Sequence, residues 1–421
     1  MEYKVIDCNS YRIHTIKTDK FKNCSMEIMF RNKLEKNKIT SNNFVVDMLM
    51  HTSKKYPKRR EVAIALESLY SASLRGVCTR LGNSFLISFC MDFLNPKYCE
   101  KGYLEDVVAF PFEMLQNPNI TNNEFDSRSF NIIKNRLKAD IESLKEKATR
   151  YAYRRSLINM DSSSPTSYSM LGTIEDLESI TTSNLVDSYN DMLNNYVCDI
   201  YVIGNLDMDK MVELIKKNFN NRTIKEQSIE LFIDNKTKKK VLEVEESGKY
   251  EQDSFIMIHN LVDATKRERD VVIHLFNVLF GSGGLTSKLY KYIREENSLC
   301  YSVNSNYQKY DRLLMIYAGI DKKDKDLCIK LVNKALDEMI NGDFSDDDFD
   351  NAKRTIISSI KMSEDTLGGI INNYLFNELD NLPLYDERIK EINSVTKEEV
   401  IELAKKFKLN TIYILTAEGE K

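Results

Sequence analysis

The sequence predicts an α+β fold of two homologous domains, each an antiparallel-rich sheet covered by helices. Three observations carry this expectation. Strand-like and helix-like segments come in blocks rather than in strict alternation. One run, Ser84–Phe93, alternates cleanly and puts Phe85, Ile87, Phe89, Met91 and Phe93 on one face. The chain also repeats itself: Leu177, Ser179, Ile180, Thr181 and Leu185 recur as Ile392, Ser394, Val395, Thr396 and Val400, and the strand Ile200–Ile203 recurs as Ile412–Leu415. A period of about 210 residues marks a duplicated domain, not a solenoid array.

Taken in order, Tyr3–Ile16 predicts the entry into a strand pair. Cys24–Phe30 alternates, with Met26, Ile28 and Phe30 together. Asn43–Met50 reads as a helix, and a second helix follows Tyr56-Pro57 over Arg60–Tyr70, with Val62, Leu66 and Leu69 inward. Leu74–Thr79 and Ser84–Phe93 predict a hairpin, and Glu100–Gln116 a helix. Thr121–Glu124 has the form of a capping box and predicts a long helix to about Asn159. Asp161–Ser169 reads as a loop. Helices at Glu175 and Thr181–Leu193, the strand Asp199–Ile203 and the helix Asp207–Phe219 complete the first half.

Asn221–Lys240 is charged and poor in apolar positions, so it reads as a solvated connector. The expected division is a first domain over 1–222, a linker over 223–240 and a second domain over 241–421. In the second half, Val241–Glu245 and Ser254–Ile258 predict strands and Lys266–Phe280 a helix. Tyr301–Tyr307 and Leu313–Ile320 predict a hairpin. Lys325–Asn341 predicts a helix, Ser345–Asp348 caps another, and Thr396–Glu399 caps the last before the strand Thr411–Leu415.

With 421 residues the chain exceeds one comfortable core. Lys and Arg number 60 against 64 Asp and Glu, a net charge of −4, which argues against a general nucleic-acid binder. No apolar run is long enough to span a bilayer, and the opening MEYKVIDCNSYRIHT lacks the apolar segment of a signal peptide. The eight cysteines are scattered without a C-x-x-C pair, as reduced core thiols of a cytoplasmic protein would be.

The most informative stretch is Phe280–Tyr307. Gly281, Gly283 and Gly284 allow positive φ and close backbone approach. Thr286 and Ser287 can cap the helix that follows, on which Leu289, Tyr290 and Ile293 share a face. Arg294 lies near its end and Tyr301 follows. The residues Gly283, Gly284, Ser287, Leu289, Arg294, Glu295, Leu299, Tyr301 and Ser302 resemble the second-half motif of the insulinase and pitrilysin-like zinc peptidases, G-G-G-x-S-S-x-L leading to R-E-x-x-x-L-x-Y-S. The first half resembles that family too, at Leu171-Gly172-Thr173 through Ile180-Thr181 and from Tyr196 to Asp207. The resemblance implies two halves closing like a clam shell. It also implies that Arg294 and Tyr301 contact a substrate carbonyl and its oxyanion, with Gly283, Gly284 and Ser287 at the substrate.

The family's zinc motif, H-x-x-E-H, is missing. The four histidines, His14, His51, His259 and His274, are far apart, and His51 stands in MLMHTSKKYP with no acid or second histidine where zinc needs them. No metal site is expected in this chain. GSGGLTSK does not fit a phosphate-binding loop, and Asp343–Asp350 lacks the order of a calcium loop. A member with the Arg/Tyr pair and without the zinc motif resembles the zinc-less branch of bacterial two-chain peptidases (YmfF-like proteins). That resemblance implies a cytoplasmic subunit that joins a zinc-bearing, insulinase-like partner around an unfolded peptide, with zinc in the partner only. The alternative is a catalytically retired peptidase acting as a scaffold or peptide-binding protein.

Overall fold

The structure is a computed structural model that describes residues 1–219 and 229–418. In chain order its regular elements are β1 (Glu2–Asp7), β2 (Arg12–Lys17), β3 (Asn23–Lys33), α1 (Lys36–His51), α2 (Arg59–Ser68), β4 (Ser73–Leu81), β5 (Ser84–Leu94), α3 (Tyr103–Gln116), β6 (Ile120–Thr121), β7 (Glu124–Phe125), α4 (Ser127–Glu142), α5 (Ala148–Met160), α6 (Ile174–Ser179), α7 (Asn184–Asn195), β8 (Val197–Gly204) and α8 (Met208–Asn218). The second half adds β9 (Leu242–Gly248), β10 (Ser254–Leu261), α9 (Ile273–Asn277), β11 (Val303–Gln308), β12 (Leu313–Ala318), α10 (Lys325–Asn341), α11 (Asp346–Glu364), α12 (Leu367–Asp380), α13 (Tyr385–Ser394), α14 (Lys397–Ala404) and β13 (Phe407–Ala417). The fold is α+β, and both large sheets are mainly antiparallel.

The first compact unit comprises Met1–Glu142 and Ser169–Leu231. Its sheet runs β1-β2-β8-β3-β5-β4, and only β2 with β8 is a parallel pair. Strand β5 shows the predicted alternation, with Phe85, Ile87, Phe89, Met91 and Phe93 all buried. Strand β3 does not alternate: Ser25, Met29 and Arg31 are buried as well as Met26, Ile28 and Phe30. It pairs with a strand on each side, and Ser25 donates to Asp92 at 2.7 Å.

The second unit comprises Ser143–Tyr168 and Phe232–Lys421. Its sheet runs β11-β12-β10-β13-β9, and again one pair, β13 with β9, is parallel. In each unit the last strand enters between the first strand of the repeat and the next, parallel to the former. That shared insertion is the duplication seen in the sequence, and it sets Ile200–Ile203 and Ile412–Leu415 in equivalent central strands.

Three expectations change. Residues 121–124 form the hairpin β6–β7, because Asn122 and Asn123 take left-handed φ of 52° and 61°. The expected long helix is two, α4 and α5, and α5 counts with the second unit. There Ala152, Leu157 and Met160 pack on Ile256, Ile258, Leu313, Met315, Tyr413 and Leu415 of the sheet. Arg155 clamps the carboxylate of Glu246 with its Nε at 2.8 Å and a further bond at 2.5 Å. Finally, residues 223–228 of the expected linker 223–240 fall outside the described residues. Of the part that is described, Leu231 and Ile233 are buried and Ile233 donates its N–H to the Tyr310 carbonyl, while Lys236, Thr237, Lys239 and Lys240 are exposed.

Candidate functional site

The predicted site residues lie in the second unit, on the segment between the helical run 268–282 and β11. That run is π-helical over Glu268–Val272 and again over Val278–Ser282. The glycine turn then reverses the chain. Gly284 alone takes a left-handed φ, 61°. Gly283 has an ordinary φ of −77°, and its need for glycine is steric: a Cβ there would stand 2.5 Å from the Val278 carbonyl oxygen. We expect Gly283→Ala to destabilise by about 1–3 kcal/mol through this clash. Gly284→Ala, with open space around its Cβ, should cost only the backbone term of about 1–2 kcal/mol. Thermal denaturation of the two variants checks the order; a more stable Gly283→Ala would reject it.

Thr286 and Ser287 do not cap the next helix with their side chains. Both hydroxyls donate back into the turn, Thr286 to the Gly283 carbonyl at 3.2 Å and Ser287 to the Gly284 carbonyl at 2.8 Å. Ser287 is buried, so its hydroxyl holds the loop shape from inside. The helix after it is π-helical over Tyr290–Glu296. Leu289, Tyr292 and Ile293 face inward. Tyr292 donates to the carboxylate of Glu338, which also receives Lys288 at 2.6 Å. This network ties the helix to α10.

Tyr290, expected to share the inward face, does something else. The Arg294 guanidinium lies 4.7 Å from the Tyr290 ring centroid and 4.7 Å from that of Tyr301. Two aromatic faces therefore hold one cation. Stacking engages the faces of the guanidinium and leaves its N–H donors, which lie in its plane, at the rim. Among the described residues the Arg294 side chain has no ion pair and no hydrogen bond. Tyr301 is 81% exposed and lies two residues before β11. A tyrosine that only filled a core would not be so exposed. The structure thus brings Arg294 and Tyr301 together and adds Tyr290, whose signal was available as an aromatic four residues before an arginine on one helix.

The histidines are dispersed. His14 is buried in β2, with Nδ1 2.8 Å from the Tyr3 hydroxyl and Nε2 3.2 Å from Asp199. His259 is buried in β10, where burial pushes its pKa down to about 4. His51 closes α1. Burial depresses its pKa, and the cations of Arg59 and Arg136 depress it further. Asp47, one turn earlier, is already paired with Arg136. One imidazole among two cations does not fit a zinc ion. Among the described residues no group of three or more His, Cys, Asp or Glu side chains is placed to hold a metal. No helix among them is long and apolar enough to cross a membrane.

Comparison with known proteins gives a consistent answer. Residues 179–356 match the peptidase M16 inactive domain. The chain is 27% identical to the "Probable inactive metalloprotease YmfF" of Bacillus subtilis (strain 168), across 96% of this chain and 95% of that one. A crystal structure of a conserved protein from Enterococcus faecalis V583 superposes with a TM-score of 0.92 at 24% identity, covering 100% of this chain and 99% of the other. A peptidase M16 inactive domain from Pseudomonas fluorescens superposes with a TM-score of 0.79 at 15% identity, over 100% and 99% of the two chains. The chain is thus similar to inactive M16-like metalloproteases, through a family model over residues 179–356 and a relative matched along nearly its whole length.

Proposed function

We propose that the chain is the non-zinc subunit of a two-chain M16-like metallopeptidase. It pairs with a zinc-bearing relative and supplies Arg294 and Tyr301 to the peptide carbonyl that the partner's zinc polarises. The observation that carries this reading is the stacked Arg294, fixed by its two faces with its donors unengaged, beside an exposed phenol. A charged fork and a neutral O–H, both in place before the reaction, stabilise the negative charge that grows on a carbonyl oxygen under attack. Strand β11 supports the same reading: it is an edge strand and begins two residues after Tyr301. An unfolded peptide added to that edge would pass beside the phenol, with its backbone carbonyls in the ladder. Gly283 and Gly284 keep the neighbouring turn free of side chains. The subunit is proposed to work in the cytoplasm.

The test is reconstitution. The chain is purified alone, its zinc-bearing relative alone, and the two together, and cleavage of an unstructured peptide is followed. Turnover in the mixture, absent from either chain alone, is the expected result. Cleavage by this chain alone in the presence of a chelator, or a mixture no faster than the relative alone, would contradict the proposal. A scaffold reading is favoured by one finding, that both the matched family and the YmfF relative are described as inactive. Under it, Tyr301→Phe would leave every measurable property of the complex unchanged.

A further inference from the structure

Within the second unit, the helical run 268–282 and helices α11, α12 and α13 line a half-open cavity of about 420 Å³. Arg294, Tyr301, Tyr290 and the glycine turn at 283–284 do not line it. Its volume lies in the range of small-molecule sites. The wall is mixed: Ile360 and Phe376 supply apolar surface, and His274, Asn373 and Arg388 supply polar groups.

Two of those polar groups lack partners. The Arg388 side chain has no ion pair and no hydrogen bond among the described residues, although burial depresses its pKa. Asn373 is 4% exposed, and its Oδ1 has no hydrogen-bond partner. Buried polar groups are nearly always satisfied, so the orphaned Asn373 Oδ1, on the same wall as a half-buried guanidinium without a protein partner, marks a missing partner. The other charges facing the space do not supply it. Asp270 is held by Lys266 and Lys309. Glu391, on the same helix as Arg388, makes no ion pair with it. The run that carries His274 is π-helical on both sides of it, a backbone form frequent at binding sites.

We propose that this cavity binds a small N-acylated carboxylate, such as an acylated amino acid or the C-terminal residue of a short peptide. The carboxylate sits on the Arg388 fork, the ligand's amide meets the Asn373 carboxamide, and its side chain packs on Ile360 and Phe376. A guanidinium matches a planar carboxylate through two parallel bonds. One unpaired cation, with Glu391 close by, suits a single negative charge better than a doubly charged phosphate.

Calorimetric titration of the full chain tests this with three probes: N-acetyl-L-leucine, N-acetyl-L-leucinamide and inorganic phosphate. Saturable binding of the acid is expected, with the uncharged amide weaker by about tenfold or more. Arg388→Met should weaken the acid by a similar factor, and Asn373→Leu should weaken it less. The proposal is overturned if the acid does not saturate, if Arg388→Met binds it as well as the unaltered chain, or if phosphate binds as tightly as the acid. The comparison of acid with amide uses the unaltered chain, so it decides the matter even where a variant fails to fold.

Discussion

Replacing Asp199 by alanine is expected to destabilise the first unit by about 3 kcal/mol, the cost of removing a buried carboxylate from between the partly buried Arg12 and the buried Arg31. Asp199 lies in central strand β8 and is almost wholly buried. Its Oδ1 accepts from Arg12 Nε at 2.8 Å and lies 3.2 Å from His14 Nε2, and its Oδ2 stands 3.8 Å from Arg31. Arg12 and His14 come from β2 and Arg31 from β3, so one carboxylate joins both neighbouring strands. Burial alone would raise its pKa, but the hydrogen bond from His14 and the charge and hydrogen bond of Arg12 outweigh that and hold it down at about 2.

The sign of the pH dependence follows. The folded pKa lies below the unfolded value of about 3.9, so the folded state favours the ionised form. The stabilisation is fully present above about pH 4 and is lost as pH falls toward 2, an amount of about 2–3 kcal/mol. Asp199→Asn keeps much of the hydrogen bonding and should be milder at pH 7. It should also lose less stability than the unaltered chain between pH 4 and 2. Hydrogen exchange in peptides from β2, β3 and β8 reads this locally, without assuming that both units unfold as one. A difference under about 1 kcal/mol for Asp199→Ala would show that the cluster is screened by solvent and sink the argument.

No part of this cluster was legible in the sequence, because its members are separated by up to 187 residues. What was legible had a short period. Strand β5 could be read because every second residue is large and apolar. The caps at Ser345 and Thr396 could be read because a capping box closes within one turn, and both are formed. The Thr121–Glu124 pattern failed because Asn122-Asn123 between its ends favours a hairpin turn, and a hairpin satisfies the same backbone groups. Helices α12 and α13 went unread. Gly368 and Gly369 break the apolar pattern at the start of one, and the other is short. Those two helices are walls of the cavity, so the cavity was also invisible. The π-turns around Arg294 could not be foreseen either. A shift from i+4 to i+5 hydrogen bonding leaves hardly a trace in residue type. Arg294 and Tyr301 were picked out through resemblance; the stacking of Tyr290 that holds the arginine emerged only in the structure.

In the reconstituted pair, Arg294→Ala is expected to lower kcat by about 100- to 1000-fold, the usual cost of deleting one preplaced donor to a developing oxyanion. The deletion should leave the fold intact. Arg294 makes no ion pair or side-chain hydrogen bond among the described residues, so what is lost is two cation–π contacts, each about 0.5–1 kcal/mol at an exposed site. Arg294→Lys should recover only part of the rate. An ammonium carries the charge but neither the planar fork nor the stacking face. Tyr290 provides a control on how the arginine acts. Tyr290→Phe keeps the ring and should be silent, whereas Tyr290→Leu frees the guanidinium and should lower kcat with little change in KM, as expected of a positioning residue. Size-exclusion chromatography of each mixture separates catalysis from assembly. If Arg294→Ala assembles normally and keeps more than half of the turnover, the guanidinium is only part of the surface. The chain would then be a scaffold whose stacked arginine outlived the chemistry it once served.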